Sequence, residues 1–141
     1  MKKYFIVLLI IVLASASFKN TYGQTIKTGV GAELRSDPPV GAILKVTYDL
    51  DFLLENLRTS VDFMFLPKME GNLDFHYSFL DDFGFNAFGI GGLNIANRLG
   101  GNIGAGVQFE IIEDIDGFGE VKYIIKDAPE ASIKIGVLYR L

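Results

Sequence analysis

Ile133-Lys134-Ile135-Gly136-Val137-Leu138-Tyr139-Arg140-Leu141, the last nine residues of a 141-residue chain, alternates in character from one position to the next. In an extended strand successive side chains point to opposite faces. Ile133, Ile135, Val137, Tyr139 and Leu141 therefore share an apolar face, and Lys134, Gly136, Leu138 and Arg140 share one that is mostly charged or small. On a soluble sheet an uncovered apolar edge strand invites association. In a barrel embedded in lipid the same face is covered by acyl chains.

Seven further segments alternate in the same way. Ile26, Thr28, Val30, Ala32 and Leu34 oppose Lys27, Gly29, Gly31, Glu33 and Arg35. Ser36-Asp37-Pro38-Pro39 ends that segment, since proline has no N–H for a ladder. Val40, Ala42, Leu44, Val46 and Tyr48 oppose Gly41, Ile43, Lys45, Thr47 and Asp49, and a connection of acids and apolar residues occupies 50–56. Leu57, Thr59, Val61, Phe63 and Phe65 oppose Arg58, Ser60, Asp62, Met64 and Leu66, with a turn at 67–71. Leu73, Phe75, Tyr77 and Phe79 oppose Asn72, Asp74, His76 and Ser78, and Asp81-Asp82 reverses the chain.

The segment 83–95 is the least regular. Phe85, Ala87, Leu93 and Ile95 stand against Asn86, Phe88, Ile90 and Asn94, and the cluster Gly89, Gly91, Gly92 is expected to hold a bulge. After a turn at 97–102, Ile103, Ala105, Val107, Phe109 and Ile111 oppose Gly104, Gly106, Gln108 and Glu110. Asp114-Ile115-Asp116-Gly117 turns into Val121, Tyr123 and Ile125 against Glu120, Lys122, Ile124 and Lys126. Asp127-Ala128-Pro129-Glu130 then leads to the final segment. Eight segments of roughly 9–12 residues suit strands tilted across a bilayer. An even number puts both ends of the domain on one side.

The start of the chain reads as a secretory signal. Lys2 and Lys3 precede an apolar run from Tyr4 to Ala14, and small residues follow. Two cleavage sites compete, Ala14-Ser15-Ala16 and Thr21-Tyr22-Gly23, and the second is preferred because the first strand begins just beyond it. The expected organisation is a signal peptide at 1–23 and one domain at 24–141. Its removal takes away three lysines and no acid, leaving 10 basic residues against 17 acidic ones. That balance argues against a nucleic-acid partner. The absence of cysteine excludes disulfides, thiolate metal sites and a lipoprotein cysteine.

Alternation does not by itself say which face points inward. A soluble lipocalin-like barrel turns the apolar face to a ligand or core, and a membrane barrel turns it to lipid. Four features favour the membrane. The polar face carries Gly29, Gly31, Gly41, Gly104, Gly106 and Gly136, which suits a narrow lumen better than a solvated surface. It also mixes Lys27, Arg35, Lys45, Arg58, Lys122, Lys126, Lys134 and Arg140 with Glu33, Asp49, Asp62, Asp74, Glu110 and Glu120, so charges could pair across a lumen. Tyr48, Phe52, Phe79, Phe83, Phe85, Phe118 and Tyr139 gather toward one end like an interfacial girdle, expected on the periplasmic side. Finally, the leader and the last strand fit export to an outer membrane. The expected fold is all-β, an eight-stranded antiparallel up-and-down transmembrane barrel with short loops.

The run Lys134, Gly136, Tyr139, Leu141 resembles the C-terminal insertion signal of bacterial outer-membrane barrels, although many of these end in Phe or Trp. With the strand pattern over 25–141, the chain resembles the small eight-stranded OmpA-like and OmpX-like barrels. The resemblance implies location in the outer membrane, contact with its lipid, and recognition of the last strand by the barrel-assembly machinery. The protein is expected to be a monomer without cofactor or metal.

Chemistry has few candidates. His76, the single histidine, shares a face with Asp74 and Ser78. His-x-Ser on a barrel strand resembles the lipid A 3-O-deacylases, which place a glutamate fourteen residues beyond the histidine; here that position is Ile90. Alternate strand residues lie roughly 6.5–7 Å apart, too far for Asp74 to stand in, and the face points away from lipid. Gly101-x-x-Gly104-x-Gly106 has no helix to complete a phosphate site, and Asp114-x-Asp116-Gly117 lacks the other ligands of a calcium loop. No residue is therefore assigned a catalytic, cofactor or metal role. The expected function is a non-enzymatic barrel with a side-chain-filled lumen, structural or a minor pore. The alternatives are a deacylase acting through His76 and Ser78, and a soluble ligand-binding barrel.

Overall fold

The computed structural model describes residues 25–141; the expected signal peptide and Gln24 lie outside the described residues. Eight strands follow in order: β1 (Ile26–Arg35), β2 (Val40–Asp49), β3 (Leu57–Leu66), β4 (Glu70–Asp82), β5 (Phe85–Ile95), β6 (Leu99–Ile112), β7 (Ile115–Ile125) and β8 (Glu130–Arg140). Each pairs antiparallel with its sequence neighbours, and β8 returns to β1 to close the barrel. Closure leaves no free edge. The entry to β1, the exit of β8 and the connections 50–56, 83–84 and 113–114 lie at one end, called here the terminal end.

Burial settles the direction of the faces. Lys45, Lys122, Lys134, Asp62 and Asp74 point inward and are at most 1% exposed, while Val30, Ile103, Val121 and Ile135 point outward and are more than half exposed. This inverts a soluble barrel. An apolar belt in water would be untenable, and acyl chains cover it. Ile135→Arg, in mid-strand on that belt, should therefore cost about 2–4 kcal/mol in a bilayer. Denaturant unfolding in vesicles measures this, and a water-facing position would tolerate the change.

The interior face departs from strict alternation at three bulges. Register shifts at Phe65, Phe79 and Ile111, where two residues stand against one on the partner strand. Each bulge turns two successive apolar side chains outward: Phe65-Leu66, Phe79-Leu80 and Ile111-Ile112 are all exposed. Leu66, expected inward, thus faces out. The glycine cluster of β5 holds no bulge: residues 85–95 pair with β6 in unbroken register.

The turns are also tighter than the sequence suggested. Asp81 and Asp82 belong to β4, and the reversal is made by Phe83 (φ 48°) and Gly84 (φ 74°), the left-handed pair of a two-residue hairpin. Asp116 and Gly117 belong to β7, and the turn is Glu113-Asp114. Glu70, Asn102 and Glu130, expected in or beside loops, are likewise strand residues.

Aromatic rings rest on glycines directly across the ladder. Phe88 lies over Gly106 and Phe118 over Gly136 inside the barrel, and Phe109 over Gly117 outside. The ring covers backbone that glycine leaves bare, an arrangement that pins register. Phe118, expected in the outer girdle, is thereby an interior residue, 4% exposed, packed with Ile43, Met64 and Leu138. Glycine is not confined to the lumen either, since Gly89 and Gly91 face outward with open space beside them.

Candidate functional site: the charged lumen

Inward-facing positions from all eight strands converge on the barrel axis. Asp62 of β3 sits at the centre of three lysines: Lys45 Nζ at 2.7 Å, Lys122 Nζ at 3.2 Å and Lys134 Nζ at 2.5 Å. Lys45 also forms an ion pair with Glu120 at 2.6 Å, Lys122 bonds Asp74, and Lys134 has Glu33 at 3.8 Å. Ser132 donates to Glu33 at 2.5 Å. Three lysines thus meet four carboxylates in a layer shut off from water. Their attraction offsets desolvation only because each charge lies within 3.8 Å of an opposite one.

From this layer a hydrogen-bonded chain runs to the end opposite the termini. Asn102 Nδ2 donates to Asp74 at 2.8 Å and to Asn72 Oδ1 at 3.0 Å, and Asn94 Nδ2 donates to Asn72 Oδ1 at 2.9 Å and to Glu70 at 2.6 Å. Arg35 grips Glu70 with both guanidinium arms, at 2.8 and 2.9 Å, and reaches Glu130 at 3.2 Å, where Lys126 also binds at 2.6 Å. The fork geometry of arginine allows the two-point grip.

The terminal half is built differently. Lys27 and Gln108 both donate to Asp116, at 2.5 and 2.6 Å, and Arg58 donates to Gln108 Oε1 at 2.6 Å and to Asp49 at 2.8 Å. Beyond them lies a cavity of about 250 Å³, also lined by Asp81, Asn86, Glu110 and Arg140. Asp81 reaches it because the Phe79 bulge reverses the alternation of β4, placing Asp81 opposite Asn86. Glu110 sits at this mouth and is exposed rather than enclosed.

The residues considered for catalysis do not assemble. His76 stacks on Phe88 with ring centroids 4.5 Å apart, and among the described residues neither of its nitrogens has a hydrogen-bond partner. Its Nε2 lies 3.9 Å from Glu120. Ser78 exchanges hydrogen bonds with Asn86, at 2.9 and 3.1 Å, and Asp74 is held by Lys122 and Asn102. Ile90 stands across the ladder from His76. A nucleophile needs its base within hydrogen-bond reach, and Ser78 has none. All three side chains also point into the lumen. Among the described residues no group of histidines and carboxylates is placed to hold a metal ion.

Of the charges lining the lumen and its cavity, the sequence missed Glu70, Asp81, Asp116 and Glu130, each hidden by a turn assignment. The inward positions of Glu70, Asp116 and Glu130 follow once the strands are extended to their observed ends; that of Asp81 also needs the Phe79 bulge.

A closed, nearest-neighbour barrel of eight antiparallel strands, charged within and apolar without, is a small transmembrane β-barrel. Solved structures of this class share its shape. The N-terminal β-barrel domain of OprF from Pseudomonas aeruginosa superposes with a TM-score of 0.61 at 14% identity, over 84% of this chain and 97% of that one. A major outer membrane protein of Thermus thermophilus gives 0.65 at 11% identity, over 85% and 100%. Ail, the attachment invasion locus protein of Yersinia pestis, gives 0.56 at 14% identity, over 84% and 97%. At such identities the likeness is one of fold. No protein-family model and no curated protein sequence matches the chain.

Proposed function

We propose that the protein is a non-enzymatic barrel of the bacterial outer membrane, a structural element whose filled lumen conducts ions poorly. The observation that carries this is the unbroken chain of ion pairs and amide bonds from Lys45 through Asp62, Lys122, Asp74, Asn102, Asn72, Asn94 and Glu70 to Arg35. An ion crossing the lumen would have to part several of these bonds at once, in a medium where unpaired charge is costly. The terminal cavity is then a blind vestibule, and the end that holds it faces the periplasm. Outer-membrane placement is supported by the solved barrels that share the fold, and the pattern of the last strand supports its recognition by the barrel-assembly machinery. The connections at the other end are three or four residues each (36–39, 67–69, 96–98 and 126–129), too short to offer the loop surface on which small barrels commonly bind partners.

Planar-bilayer recording tests the reading. The purified barrel should show no large, steady conductance at neutral pH. A double change that unpicks the seal, Arg35→Ala with Glu70→Ala, should raise the conductance above that of the native protein. A steady ion current through the native barrel would overturn the proposal.

A further inference from the structure

The connection between β2 and β3, residues 50–56, is the longest in the barrel and is not built like a solvated loop. Its backbone closes on itself. The N–H groups of Leu53 and Leu54 donate to Leu50 O at 2.8 and 3.1 Å, Leu57 N–H to Leu54 O at 3.1 Å, and Leu50 N–H to Leu57 O at 2.8 Å. Asp51 Oδ1 accepts from Asn56 N–H at 3.2 Å, and Asn56 O accepts from Ser78 N–H at 3.0 Å, tying the turn to β4. Asn56 takes the left-handed conformation (φ 64°) that ends a helical turn. Internal satisfaction of backbone groups is what a segment needs to leave water.

The side chains match that backbone. Phe52, Leu53 and Leu54 are 66, 70 and 53% exposed and touch little of the barrel. Tyr48 and Leu57, the outward residues flanking the turn, join it to the lipid-facing surface. The same rim carries the paired apolar residues of two bulges, Phe79-Leu80 and Ile111-Ile112, and the fully exposed Phe83. The connections at the opposite end carry the exposed ion pairs Lys68–Asp37 and Arg98–Asp127, as solvated loops do; at the terminal end the exposed pair Arg140–Asp114 belongs to the short 113–114 turn and not to residues 50–56.

We propose that residues 50–56 form an interfacial anchor, with the Phe52-Leu53-Leu54 edge immersed at the headgroup–acyl boundary of the leaflet on the terminal side. Its occupant is phospholipid, because the apolar edge continues the lipid-covered belt and the turn satisfies the backbone N–H groups of Leu50, Leu53, Leu54, Asn56 and Leu57 internally, while the exposed Asp51 and Glu55 of the same turn keep it at headgroup level. Its function is to set the depth of the barrel and to keep the vestibule mouth at the membrane surface.

The chain has no tryptophan and no cysteine, so single reporters can be placed in it. Phe52→Trp and, for comparison, Lys68→Trp are refolded as full-length barrels into phosphatidylcholine vesicles. Phe52→Trp should emit at shorter wavelength than Lys68→Trp, be quenched by lipids brominated near the headgroup, and resist acrylamide. These properties should persist on dilution of protein in lipid. Because indole itself favours interfaces, Leu53→Cys carrying a spin label supplies a second reading, with greater access to oxygen than to a water-soluble nickel chelate. Equal acrylamide quenching of the two tryptophans, with a label open to the chelate, would place the turn in water and overturn the proposal. A blue shift that disappears on dilution would assign the turn to a second copy of the chain and would overturn it equally.

Discussion

Asp62→Ala should destabilise the barrel by about 3 kcal/mol, the lower end of the ~3–5 kcal/mol expected when one partner is removed from a buried ion pair. The lower end applies because the three lysines do not suffer alike. Lys45 keeps Glu120 at 2.6 Å and Lys122 keeps Asp74. Lys134 is left with Glu33 at 3.8 Å, beyond hydrogen-bond range, so the loss concentrates there. Adding Lys134→Met to Asp62→Ala removes one lysine and one carboxylate together and restores the balance of the native layer. The double variant should recover most of the stability, since an ion pair replaced as a unit by apolar atoms is often nearly neutral. Denaturant midpoints of the four proteins in one detergent measure the cycle. Additive losses would mean that Asp62 and Lys134 do not interact, contrary to their 2.5 Å contact.

Gly136→Val should prevent the barrel from closing. Gly136 faces Gly31 across the β1–β8 seam. A Cβ there would fall on the carbonyl oxygen of Val30, within 2.7 Å of the Gly31 Cα and 2.8 Å of the Phe118 ring. Ordinary overpacking costs typically 1–3 kcal/mol because side chains yield. Here the obstacle is the backbone of the strand that must pair, so the cost should exceed that range. Gly91→Val is the control. Gly91 faces lipid with nothing within 4 Å of an added Cβ, and valine suits a strand better than glycine. On an unheated gel Gly136→Val should run as unfolded chain and Gly91→Val as compact barrel. If both ran as compact barrels, the tight seam would be disproved.

Strands were legible wherever residues kept to a period of two, since that period arises within each segment and needs no partner. Lys27, Glu33, Lys45, Asp62, Asp74, Lys122 and Lys134 fall on the polar faces of their strands from this alone. The misses fall where the period breaks. Two adjacent apolar residues near a strand end, as in Phe65-Leu66, Phe79-Leu80 and Ile111-Ile112, were the available signal of a bulge. Glycines drew attention to β5 instead, although Phe88 and the small residues there pair in regular register. Acidic residues suggested turns, which concealed Asp81 and Asp116 as lumen-facing strand positions.

The sequence by itself determined that there are eight strands, their order, and which residues share a face, because alternation and turn chemistry are local. Only the tertiary structure decided that the charged face is the interior, that Asp62 meets three lysines from strands as distant as β2 and β8, and that Phe118 lies inside over Gly136. These depend on closure and register. A charge is inside or outside only once the sheet has curled, and its partner is fixed only once every intervening strand, bulges included, has taken its offset.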